Sequence, residues 1–119
     1  MSCYEAHLDK YFHNKTFLNE INDEKYADWA VTVCFYCGLH LVESRAAQKD
    51  KHSDDHKERN SDTIKLPDFK YCRSAYFALY NRSRQARYDC IFLDATEAKK
   101  SHEELAVIEN ILLPKESQK

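Results

Sequence analysis

Apolar positions along this chain recur at helical rather than strand spacing. Over residues 25–49 they crowd so closely that Trp29, Val33, Tyr36 and His40 form one line along a helix, while Val31, Phe35, Leu39, Val42 and Ala46 form another. A helix apolar nearly all round belongs at the centre of a bundle. Before it, Leu8, Tyr11, Phe12 and Leu18 give one apolar side to a helix over residues 3–19, which Asn22 and Asp23 break. After it, Ser53 followed by Asp54 and Asp55 predicts the capped start of a short, exposed third helix over residues 53–63. Pro67 fits the first turn of a fourth, over residues 67–88. Leu105, Ile108 and Leu112 mark a fifth over residues 96–113, with Pro114 as its stop.

Composition narrows this to one architecture. A chain of 119 residues suits a single domain, and one Gly and two Pro leave little of the punctuation that hairpins need. The expectation is an all-α protein: an antiparallel bundle of four to five helices over residues 1–119, with 114–119 as a frayed tail. The first residues lack a basic stretch followed by an apolar one. The longest apolar run, residues 29–42, is too short to span a bilayer and contains Thr32 and His40. A cytoplasmic protein with no membrane partner is therefore expected. Five cysteines make an odd count without a framework spacing. Cys34 and Cys37 form a C-x-x-C inside a helix rather than at a strand-to-helix turn, so packed thiols are the simpler reading.

Charge patterning brings in chemistry. The chain is net -2, yet residues 69–88 hold Lys70, Arg73, Arg82, Arg84 and Arg87 without a single acid. Cations interleaved with aromatic rings suit a phosphate backbone with unstacked bases. Helical periodicity puts Arg73, Phe77, Tyr80, Arg84 and Arg87 on broadly one side, with Cys72, Ala75, Leu79 and Ala86 on the adjacent packing side. The plainer alternative makes Phe77 and Tyr80 core and the arginines a solvated rim. Upstream, His56 and Arg59 lie one helical turn apart, with Asn60 beside them. An imidazole exchanges protons near neutral pH, and a guanidinium holds a phosphate or a developing oxyanion without a metal. Phosphate-cradling Gly-rich loops, nucleophile elbows, H-E-x-x-H and EF-hand patterns are all absent, and no paired Glu-x-x-His suggests a di-iron site.

Together these residues resemble a small HEPN-domain protein. The likeness rests on Phe35-Tyr36-Cys37-Gly38-Leu39-His40 in the central helix, the His-containing polar segment 52–60, and the run from Leu79 to Asp89. It covers residues 26–89. The resemblance implies an all-α bundle that forms a homodimer and acts on RNA. Such a protein is either a metal-independent endoribonuclease of toxin or defence type, or a non-catalytic module binding RNA, a nucleotide or a protein partner. A cognate antitoxin or nucleotidyltransferase partner goes with the first. No metal and no cofactor are implied. Catalysis would fall to His56 for proton transfer, Arg59 as phosphate clamp and Asn60 for orientation. The substrate would be held by His40, Arg73, Tyr80, Arg84, Arg87 and Tyr88. The family's pattern of an Arg with a His following it is met in bare spacing by Arg45 and His52, whereas Arg82 has Tyr88 where a His would be wanted.

Overall fold

A computed structural model describes residues 3–48, 68–89 and 91–114. They form an all-α bundle: α1 (Cys3–Glu20), α2 (Ala27–Gln48), α3 (Arg73–Tyr88) and α4 (Ala95–Leu112), with a 3-10 turn, Phe69–Tyr71, leading into α3. The third helix expected over residues 53–63 lies outside the described residues. So does Pro67, the expected start of the next helix.

Side-chain pairings fix the directions. His7 near the start of α1 meets His40 in the second half of α2, and Tyr36 of α2 meets Arg87 at the end of α3. Both neighbours therefore run antiparallel to α2. Arg82 of α3 reaches Glu97 and Glu104, so α4 turns back along α3 and lies parallel to α2. α2 packs against each of the other three helices, as its all-round apolar pattern demands, and 15 of its 22 residues are buried. Its one glycine, Gly38, sits where a Cβ would lie 3.2 Å from Ile108 Cδ1 and 3.4 Å from Leu79 Cδ1, so side chains of α3 and α4 pack close to the α2 backbone there.

The ends of the elements follow from local chemistry. Asn22 Oδ1 accepts from the backbone N–H groups of Glu24 and Lys25, both at 3.0 Å, making the turn that breaks α1 from α2. Asp94 caps α4 by accepting from the Glu97 N–H at 3.2 Å. Asp28 Oδ1 accepts from the Leu93 N–H at 2.8 Å, which ties the start of α2 to the loop before α4. The helix expected from residue 67 begins at Arg73 instead. Phe69 is buried against Tyr76 and Phe77, and a 3-10 turn brings its ring inward before the α-helix starts.

Three packing expectations need correction. On α3 the buried line is Cys72, Tyr76, Leu79 and Ser83, with Ala75 and Ala86 at its edge, because Tyr76 fills the space between Phe35 and Phe69. On α1, Tyr11 and Leu18 are buried while Phe12 is 39% exposed, since α1 meets the bundle along a narrow stripe. Trp29 does not join the core line of α2. Its indole is 61% exposed.

Cys34, Cys37 and Cys72 are buried free thiols, as the packing reading expected. Burial raises all three: Cys37 from its ordinary 9.0 to about 12, Cys72 to about 11, and Cys34 further, with the neighbouring Cys37 adding to the effect. Between pH 9 and about 11 the unfolded thiols have ionised and the folded ones have not, so the native state binds more protons. Stability is complete below that window and falls as pH rises through it, by about 1.4 kcal/mol per thiol per pH unit. Thermal melts should be level from about pH 6 to 8 and drop steeply above 9, with a shallower slope in Cys72→Ala. A melting temperature that stays level to about pH 11 would refute the burial argument.

Candidate nucleic-acid interface

α3 sorts its arginines by angle. At 100° per residue, Arg82 lies roughly 140° round the helix from Arg87, whereas Arg84 and Arg87 are only about 60° apart. Arg82 faces α4. Its Nε donates to Glu97 at 3.1 Å, its Nη1 donates to Ser101 Oγ at 3.1 Å, and its guanidinium spans the Glu104 carboxylate. The Glu104 hydrogen bond raises its already high pKa further, with partial burial opposing and the Glu104 and Glu97 charges adding to the rise. This arginine is a structural clamp whose charge is spent inside the bundle.

Arg87 is held differently. Its Nε donates to the Ser83 carbonyl at 3.2 Å and its Nη2 to Ser83 Oγ at 3.3 Å. Nη1 donates to the hydroxyls of Tyr36 and Tyr88, each at 3.3 Å. The guanidinium lies 5.7 Å from the ring centres of Phe35 and Tyr36 and 4.8 Å from that of Tyr88. Arg84 lies 5.9 Å from the Tyr80 ring centre and donates to its hydroxyl at 3.4 Å. Neutral oxygens and ring faces orient these two cations without cancelling their charge. Among the described residues no carboxylate is paired with either.

Tyr80, Arg84, Arg87 and Tyr88 line one open depression of about 350 Å³. Four of the six expected substrate residues are thus brought together. The other two are not. Arg73 is exposed at the start of α3, fourteen positions before Arg87 and roughly 21 Å away along the axis. His40 sits in the seam between α1 and α2, where its Nδ1 is 3.1 Å from that of His7 and the ring centres are 5.3 Å apart. His56, Arg59 and Asn60, the expected catalytic residues, lie outside the described residues.

The structure adds partners that periodicity alone did not single out. Ser83 holds Arg87 from one turn back, a spacing visible in the sequence, and Tyr36 reaches it from α2. The clamp on Arg82 has a readable counterpart in Glu97, Ser101 and Glu104, which repeat at helical spacing along α4. Two guanidiniums flanked by the half-buried Tyr80 ring and the exposed Tyr88 ring can hold phosphate oxygens and stack bases. Among the described residues no group of three or more His, Cys, Asp or Glu could hold a metal ion, and no helix is long and apolar enough to cross a membrane. Compared with protein-family models, with curated proteins and with solved structures, the chain finds no match.

Proposed function

We propose that the chain is an RNA-directed helical module of the HEPN-like kind, and that it binds single-stranded RNA at the C-terminal half of α3. The observation that carries this reading is the contrast within one helix: Arg82 is neutralised by Glu97 and Glu104, while Arg84 and Arg87 keep their charge and point it between Tyr80 and Tyr88. Arginines of a solvated rim would be loose, whereas hydroxyls and ring faces hold both of these in place. The resemblance brings a homodimer into the same proposal, together with an antitoxin or nucleotidyltransferase partner.

A short single strand of about eight nucleotides is a suitable probe. Its affinity should fall steeply between about 50 and 200 mM salt. Polyphosphate of similar charge should bind at least about tenfold more weakly, because it offers the arginines oxygens but gives the rings nothing to stack on. Equal binding of the two would reduce the site to a plain cation patch. No RNA binding at low salt would remove the proposal. Incubation in EDTA tests the catalytic form separately: cleavage that His56→Ala and Arg59→Ala abolish adds an endoribonuclease to the binding module, and intact RNA leaves the module alone.

A further inference from the structure

The depression at Arg84 and Arg87 does not end there. Arg87 also lines a second one, of about 280 Å³, together with Asp28 and Trp29. Trp29 in turn lines a third, of about 500 Å³, with Phe17 and Tyr26. The three form a series linked by two shared side chains, crossing from the end of α3 over the start of α2 to the end of α1. Charge changes along it. The cations are at the α3 end, whereas Asp28 and Glu20 stand in the second and third depressions. Phosphate is therefore favoured at one end and repelled from the rest, where exposed rings dominate: Trp29 at 61%, with Phe17 and Tyr26 about half exposed. An occupant that matches this must be anionic at one end and flat and apolar beyond it.

Resting on the RNA-binding reading above, we infer that the series receives the end of a single RNA strand, with the last phosphate held by Arg84 and Arg87 and the terminal base stacked on Trp29. No phosphate follows the terminal base, so Asp28 and Glu20 face no like charge there. Stacking accepts any base, so the series selects single strands over duplex without selecting sequence. It also accounts for an indole left in water at the start of a helix that is otherwise mostly buried.

Trp29 is the sole tryptophan of the chain, so its emission reports on this position alone. The probe is the same single strand of about eight ribonucleotides, followed by anisotropy of an end label and, unlabelled, by tryptophan emission. Binding should quench Trp29 with the saturation point that anisotropy gives. Trp29→Leu should weaken binding about fivefold or more, and Trp29→Phe should restore most of it, because a ring and not a volume is needed. Both variants change an exposed side chain, and their thermal melts should match that of the parent. If the strand binds in an Arg87-dependent way but emission is unmoved and Trp29→Leu binds like the parent, the stacking on Trp29 is wrong and the α3 site stands. If no strand binds, both readings fall. If Trp29→Leu instead converts a dimer to a monomer with unchanged RNA affinity, the ring patch is a self-association surface and the inference is overturned.

Discussion

Arg82→Met should lower the unfolding free energy by about 2–3 kcal/mol and leave RNA affinity unchanged. The side chain is 14% exposed and supplies bonds to Glu97, Ser101 and Glu104 from the centre of the α3–α4 contact. Removing one partner of a buried charge cluster costs about 3–5 kcal/mol, because the other partners keep their charge without compensation. Here Glu97 is 33% and Glu104 22% exposed, so water recovers part of that loss and the lower figure applies. For a domain of this size the melting temperature should fall by roughly 10 °C. A loss below about 1 kcal/mol in a denaturant titration would show that the cluster contributes no more than a surface pair. The side chain itself packs against α4, so methionine, which keeps most of the stem, is a cleaner replacement than alanine.

Arg87→Met should do the reverse. RNA affinity should drop at least about tenfold at low salt, and the slope of log affinity against log salt should become shallower by about 0.7, the value for one phosphate contact on a single strand. Stability should fall by only about 1 kcal/mol, since its partners are neutral hydroxyls and a carbonyl that water can replace at this half-buried position. Arg84→Met should give a similar change of slope with less effect on stability, being more exposed. Arg87→Lys should restore the slope but not the affinity, because an ammonium cannot bridge Ser83, Tyr36 and a phosphate at once. Unchanged affinity in Arg87→Met would place any RNA contact elsewhere.

These two arginines also show what could and could not be read from the sequence. Helical periodicity gave the angle of each residue, which is why Tyr80, Arg84 and Arg87 share a face as expected. It carried no penalty for distance along the axis, and so Arg73, on nearly the same side, was grouped with residues roughly 21 Å away. His40 follows Tyr36 by one turn, but its position in the seam is marked by His7 of α1, a tertiary contact that no local pattern announces. The bundle itself was legible because α2 is apolar on nearly every side and the break at Asn22 uses ordinary turn chemistry. The start of α3 was not. Proline favours the first turn of a helix, but burial of the Phe69 ring set the chain's path before the helix began. Trp29 shares a line of α2 with Val33 and Tyr36, but spacing records only a face and not whether another element covers it.

The most direct test of the account is to follow the arginine side-chain Nε–Hε resonances by NMR while titrating the protein with single-stranded RNA. The signals of Arg84 and Arg87 should move together and saturate at the affinity that anisotropy reports, while that of Arg82 stays in place. Shifts confined to other arginines, or none at saturating RNA, would contradict it.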